Sequence, residues 1–251
     1  MSDNHEAELE VVIARLNAFG FMSSETADIL HEKPFSGPGN SKLKDAIALF
    51  QKFYRLPITK ELDHETLKLL GQTRCGIPDP VGPPALLSDT GKWPQRRVTY
   101  QILNDHENVN GTVLHHNIQN AFSAWAEKCN LFFVEVESDA LIQISFGRQE
   151  HGDGFPFAGK LGDLAHAFYP SWVPTYLAGD IHFDADESWS VEEICPTGMH
   201  DFFSVALHEI GHALGLEHTS DRDAVMYAYY DGPKRQLLES DITRIQQKYG
   251  S

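Results

Sequence analysis

Three histidines and a glutamate in the stretch V-A-L-H-E-I-G-H-A-L-G-L-E-H-T decide what chemistry this chain can do. His208 and His212 are four residues apart, so on a helix they project from one face a turn apart, with Glu209 beside the first. Gly215 can take the left-handed conformation that ends a helix and turns the chain back, which brings His218 round as a third nitrogen. Three neutral imidazoles leave the fourth position of a tetrahedron open to water, which suits a catalytic rather than a structural zinc site. A bare H-E-x-x-H reads equally well as an amphipathic helix with surface histidines. The extended H-E-x-x-H-x-x-G-x-x-H, with Met226 downstream in D-A-V-M-Y, argues against that plainer reading.

The extended pattern resembles the metzincin metalloproteases, in which a methionine sits in a turn beneath the metal, and Met226 matches that methionine. The resemblance implies that zinc acidifies a water and polarises the scissile carbonyl. Glu209 then takes the water's proton and passes it to the leaving amine.

Upstream, Cys75 stands in T-R-C-G-I-P-D ahead of a proline-rich run that can be neither helix nor central strand, so residues 72–91 read as an exposed linker. This motif resembles the P-R-C-G-x-P-D of matrix metalloproteinase propeptides and departs from it only at Thr73. The resemblance implies that Cys75 holds the catalytic zinc in a latent form, because a thiolate is a better zinc ligand than water. Arg74 is expected to pair with a cleft carboxylate, and Thr73 in place of proline to make the segment less rigid. The activating cut is expected between Pro83 and Ser88, where Leu86 and Leu87 suit the enzyme's own pocket. No basic R-x-K-R run precedes the catalytic unit, so a furin-like cut is not indicated.

A second constellation lies in E-H-G-D-G-F-P-F-A-G-K-L-G-D-L-A-H-A and G-D-I-H-F-D-A-D-E-S. His151, Asp153, His166 and His182 supply three nitrogens and one carboxylate, which fill a tetrahedron and leave no open position. Their order resembles the structural zinc site of the matrix metalloproteinases. The same resemblance implies calcium, held through Asp184, Glu187 and the carbonyls of Gly159, Leu161 and Asp163. Here Ala158 replaces the family's loop aspartate, and a cation that needs six to eight oxygens is expected to bind more weakly. At a second family calcium site Asp180 is retained, whereas Leu141 stands where a strand aspartate is expected.

Elements must position these groups. Leu9, Val12, Ile13, Leu16 and Phe19 recur at helical spacing, as do Leu43, Ala46, Ile47, Phe50 and Phe53 after a cap at Ser41, with P-F-S-G-P-G-N a loop between them. Asp63 caps a last short helix that Gly71 closes. Further on, Val98, Tyr100 and Ile102 alternate as in a half-buried strand, and Ile118, Phe122 and Trp125 form a helical stripe over residues 112–128. Phe133 with Leu131 marks a second strand, and Ile142, Ile144 and Phe146 a third. Ile242, Ile245 and Tyr249 space a closing helix behind a cap at Ser240.

The chain has 251 residues, 41% of them apolar, enough for one large or two modest domains. A formal charge of −16 argues against a nucleic-acid surface, and no apolar run approaches a membrane span. The acidic start M-S-D-N-H-E-A-E-L-E does not read as a secretory signal. Cys129 and Cys195 read as a disulfide or as two thiols, and Asn110, Gly111 and Thr112 form a glycosylation sequon that matters only in the secretory route.

The expected fold is α+β: residues 1–71 a small all-α propeptide, 72–91 the cysteine segment and linker, and 92–251 a metzincin-type domain with a twisted, mixed five-stranded sheet and three helices. The function implied by the resemblance is a latent zinc endopeptidase, a minimal matrix metalloproteinase with no haemopexin-like domain. It would carry two zinc ions with calcium and act as a secreted monomer on extracellular proteins, where proteinaceous inhibitors are its expected partners. The rivals are another metzincin, or a polysaccharide-binding module, because the helical unit also looks like a peptidoglycan-binding fold. For specificity, Ala165 is expected on the edge strand that pairs with substrate. The resemblance implies that the residue four before the first zinc histidine helps close the pocket for the side chain after the scissile bond; here it is Ser204, which is small, so a deep apolar pocket preferring Leu, Met or larger aromatic groups is expected.

Overall fold

The computed structural model describes residues 3–32, 38–81, 90–160 and 162–251. It divides into two compact units, one of Met1–Gln72 with Gly76–Ser88 and one of Thr73–Cys75 with Asp89–Ser251.

The smaller unit is helical: α1 (Asp3–Ala18), α2 (Ser24–Glu32), α3 (Pro38–Phe53) and α4 (His64–Leu70). The expected stripes form its core, with Leu9, Val12, Ile13, Leu16 and Phe19 meeting Leu43, Ala46, Ile47 and Phe50, all buried. Phe53 is only half-buried. Helix α2 carries only Ala27 and Leu30 as buried apolar residues, too short a stripe to stand out in the sequence. Helix α3 begins at Pro38 rather than after a cap at Ser41, so part of the expected loop is helical. Proline is tolerated there because a first-turn N–H has no intrahelical partner. Asp63 does cap α4, accepting the Thr66 N–H at 2.9 Å, and Gly71 follows it in a right-handed conformation. The smaller unit also takes in Asp79, whose carboxylate accepts the Tyr54 hydroxyl at 2.6 Å and whose N–H reaches the Phe19 carbonyl at 2.9 Å.

The larger unit runs β1 (Arg97–Ile102), α5 (Gly111–Ala126), β2 (Phe132–Glu135), β3 (Ile142–Gly147), β4 (Ala165–Ala167), β5 (Ile181–Asp184), β6 (Trp189–Ser190), β7 (His200–Asp201), α6 (Phe202–Ala213) and α7 (Glu239–Tyr249). A five-stranded sheet has the order β2-β1-β3-β5-β4, in which only β4, at the edge, is antiparallel. Strands β6 and β7 pair separately. Val98, Thr99 and Tyr100 are all buried, so β1 departs from the alternation expected of it, as a strand covered on both faces does. Helix α5 starts at Asn110, whose side chain accepts the Val113 N–H, and it is tied to α6 by the Trp125 indole N–H on the Leu207 carbonyl at 2.9 Å.

Ser240 is not the cap of α7. The helix starts after Leu238, whose N–H is taken by Asp241 at 3.0 Å, while the Ser240 hydroxyl turns to Asp221. Cys129 and Cys195 are both free thiols, the first buried and the second half-buried.

Candidate metal centre and cleft

Helix α6 is built to present its histidines. Asp201 caps its start by accepting the Ser204 N–H at 3.0 Å. At its end Gly215 takes φ +90°, donating to the His212 carbonyl at 2.7 Å, while Leu216 donates to Gly211 at 2.9 Å. These two bonds make the left-handed stop that turns the chain toward His218. Inside the helix, a Cβ on Gly211 would run into the Met226 sulfur and come within 3.1 Å of the Trp125 ring. The turn that carries Met226 is held from below by Asp241, which accepts the N–H groups of Val225 at 3.0 Å and Met226 at 3.3 Å. Asp241 is fully buried, and the sequence reading missed it because an acid in a helix's first turn looks like an ordinary cap.

The three Nε2 atoms converge. His212 stands 3.1 Å from His208 and 3.0 Å from His218, and His208 stands 3.2 Å from His218. Tetrahedral zinc with Zn–N bonds of about 2.0–2.1 Å needs nitrogens about 3.3 Å apart, so the set fits. The other ring nitrogens of His208 and His212 donate to the carbonyls of Val225 (2.7 Å) and Leu216 (2.6 Å), which turns the Nε2 lone pairs inward. Burial, with the neighbouring rings, holds His212 well below the usual imidazole range. Burial and the Arg74 guanidinium do the same to His218. Neutral imidazole is the ligand form.

Cys75 completes this group, with its sulfur among the ligand atoms that all lie within 4.8 Å of one another. The reading of 72–91 as an exposed linker is therefore corrected at its start, where Arg74 and Cys75 are buried, 1% and 5% exposed. They are buried because the chain there runs extended as an added strand. Leu164 donates to the Arg74 carbonyl at 2.9 Å, Cys75 donates to Ala228 at 3.0 Å, and Tyr230 donates to Thr73 at 3.0 Å. Arg74 is thus bridged in parallel to Asp163, just before β4, and antiparallel to Tyr229. Its guanidinium donates to the Cys75 carbonyl, lies 3.4 Å from His218 Nδ1 and stacks over the Tyr229 ring. The cut expected between Pro83 and Ser88 lies outside the described residues.

Glu209 is fully buried, with Oε2 3.6 Å from the Cys75 sulfur. Burial pushes its carboxyl up to about 8, against the pull of the thiol's hydrogen bond.

The second constellation is also assembled. His166 and His182 face each other across the β4–β5 pairing, and His151 and Asp153 reach them from the loop after β3. Asp153 Oδ2 stands 2.9 Å from His151 Nε2, 2.7 Å from His166 Nε2 and 2.6 Å from His182 Nδ1. Burial would raise the Asp153 carboxyl, but the hydrogen bonds from His166 and the Phe155 N–H outweigh it and hold it well below the usual range. Burial, with His166 beside it, pushes His182 down to about 4.

The calcium candidates are only partly gathered. Asp184 is fully buried on β5 and its Oδ2 has no hydrogen-bond partner among the described residues, an orphaned acceptor that a hard cation would satisfy. Burial pushes Asp184 up to about 6. Glu187 Oε2 lies 3.3 Å from His200 Nε2. The Gly159 carbonyl already accepts the Gly162 N–H at 3.0 Å, Asp163 is half-buried, and Leu161 lies outside the described residues. Asp180 accepts the Gln143 N–H at 3.1 Å, and burial pushes it up to about 6 as well.

An α+β domain with a turned His-Glu-His helix, a methionine turn beneath it and a cysteine facing the three histidines has the arrangement of a metzincin-type domain. The matrixin family model matches residues 92–250, and the model described as "Putative peptidoglycan binding domain" matches residues 6–70. Among curated relatives, the chain is 34% identical to interstitial collagenase of Oryctolagus cuniculus over 99% of this chain and 51% of that protein. It is 37% identical to stromelysin-1 of Equus caballus over 86% of this chain and 44% of that one. Against matrilysin of Felis catus it is 38% identical over 85% of this chain and 82% of that one. The chain therefore spans about half the length of the first two relatives. It belongs to the matrixin family.

Proposed function

We propose that the chain is a latent zinc-dependent endopeptidase acting on extracellular, matrix-type proteins. The carrying observation is the convergence of three Nε2 atoms at 3.0–3.2 Å with the Cys75 sulfur completing the set. His208, His212 and His218 would hold the zinc, with Cys75 as fourth ligand in the latent form. Zinc there supplies Lewis acidity to the scissile carbonyl and lowers the pKa of a water toward neutrality. Glu209, the carboxylate beside that position, takes the water's proton at a carboxylate oxygen and gives it to the leaving amine.

The slot filled by Thr73–Cys75 is the substrate's. Backbone groups of residues 164 and 228–230 pair with an extended chain there, and Ala165 continues the same edge. Ser204 lines the adjoining pocket together with Val205 and His208. His151, Asp153, His166 and His182 hold a second zinc, which fixes the loop between β3 and β4. Calcium is held by Asp184 and Glu187 with carbonyls of Gly159, Leu161 and Asp163, and Asp180 serves a second site. Secretion, a monomeric state and proteinaceous inhibitors as partners complete the reading. The peptidoglycan-binding match supports a second reading, polysaccharide binding by the helical unit.

The test is hydrolysis of a quenched fluorescent peptide by the processed chain. Hydrolysis should stop on zinc chelation and return on adding zinc. Activity indifferent to chelation, or none after processing and full metallation, contradicts the reading.

A further inference from the structure

The main chain that leads from α6 to His218 is gripped by α7, one carbonyl at a time. The Leu214 carbonyl accepts the Tyr249 hydroxyl at 2.9 Å. The Gly215 carbonyl accepts the Thr90 hydroxyl at 2.7 Å, and the Lys248 ammonium meets that hydroxyl at 2.9 Å. The Glu217 carbonyl, next to His218, accepts Nη2 of the Arg244 guanidinium at 2.6 Å. On the other side of His218, the Thr219 N–H donates to the Met226 carbonyl at 3.0 Å, and Met226 is itself held by Asp241 of the same helix. The chain on both sides of the third histidine is therefore tied to α7, through Arg244 before it and through the methionine turn after it.

Arg244 is an unusual choice if packing were its only task. It is half-buried, and its Nη1 is buried with no hydrogen-bond partner among the described residues. An unmatched charged donor costs stability, and an apolar side chain would dock the helix without that cost. What a guanidinium offers instead is a directed, charge-assisted bond to one carbonyl.

We propose that Arg244 is a positioning residue for the catalytic zinc: by clamping the Glu217 carbonyl it fixes the main chain that carries His218, and so slows loss of the metal from the three-histidine site. The proposal deepens the peptidase reading above and rests on it. His208 and His212 are placed by the helix they share and by the carbonyls of Val225 and Leu216 on their outer nitrogens. His218 lies beyond the left-handed stop at Gly215, so helical geometry does not place it and the grip on its own segment must. Contacts behind a ligand that fix its orientation are commonly worth about ten- to a hundredfold in metal affinity.

The experiment mixes processed, zinc- and calcium-loaded enzyme with excess chromogenic zinc chelator and follows zinc release while sampling hydrolysis of a quenched peptide. The release that runs in step with loss of hydrolysis is that of the catalytic zinc. Arg244→Met keeps an unbranched stem without the donor and should speed this release about tenfold or more, leaving any zinc that does not track activity at the parent's rate. Arg244→Lys restores one charged donor and should return the release to near the parent's. Ile245→Val, at a fully buried position of the same helix, should lower Tm yet leave the release unchanged, because the clamp is intact. If Arg244→Met does not fold, Arg244→Gln, too short to reach the carbonyl, takes its place. Release from the Met or Gln variant at the parent's rate overturns the proposal, and so does equal speeding by Ile245→Val, which would make Arg244 a packing residue. A parent that cuts no peptide sinks the peptidase reading, and the rates of zinc release alone then decide on the clamp.

Discussion

The Cys75 sulfur lies 3.6 Å from Oε2 of Glu209, so the group assigned to latency occupies the space where the proposed general base would meet its water. A thiol tethered in the same chain competes with water at an effective concentration of roughly millimolar, which a free thiol does not reach. Cys75→Ser in the intact chain should therefore cleave peptides and process itself, while Cys75→Ser with Glu209→Ala should stay full length on a gel. A purified, unprocessed Cys75→Ser chain as silent as the parent would show that the propeptide blocks the cleft by bulk alone.

Metal content separates the two histidine groups. Elemental analysis of the fully metallated zymogen should return two zinc ions per chain. Asp153→Ala should lose one of them, because it removes the carboxylate that meets His151, His166 and His182. One zinc or fewer in the parent removes the second site from the account.

A role that needs only spacing is legible in the sequence, whereas one that needs tertiary contact is not. The histidines were legible because a helix converts a four-residue gap into one face, and Gly215 because only a left-handed stop returns the chain in so few residues. The burial of Arg74 was not legible, since a proline-rich neighbourhood says nothing about a strand pairing with residues 163 and 229. The role of Asp241 was equally hidden, because it depends on partners brought near by the fold rather than by the local pattern. The caps at Ser41 and Ser240 failed for a related reason: a proline at the first helical position and a reaching Asp241 each served where a serine was expected.

Gly211 is the residue of the H-E-x-x-H helix on which Met226 bears. A Cβ there meets the Met226 sulfur, and both the sulfur and the Trp125 ring are fully buried, so neither can retreat into solvent. Gly211→Ala should cost about 1–3 kcal/mol by overpacking and weaken zinc binding at the adjoining histidines. Thermal unfolding and a zinc competition assay check this, and a variant matching the parent in both would show that the turn yields without consequence.

Calcium should matter more as pH rises. Asp180 and Asp184 are raised from 3.8 to about 6 by burial. Between about pH 4 and pH 6 the folded chain keeps protons that the unfolded chain has released, so without calcium these carboxyls lower stability as pH rises through that window. Calcium binds the ionised form and reverses the trend. The rise in Tm on adding calcium should therefore be larger at about pH 7.5 than at about pH 5. Equal increments would argue that neither carboxylate binds the ion.

If Glu209 works on a water held among three zinc-binding histidines, its loss should abolish turnover and spare the metal. Steady-state hydrolysis of one quenched peptide by processed parent and processed Glu209→Ala enzyme, with zinc counted in both, addresses it directly. Turnover should fall on the order of a thousandfold or more while the zinc content stays at the parent's value. Near-normal hydrolysis by the zinc-loaded variant would contradict the account.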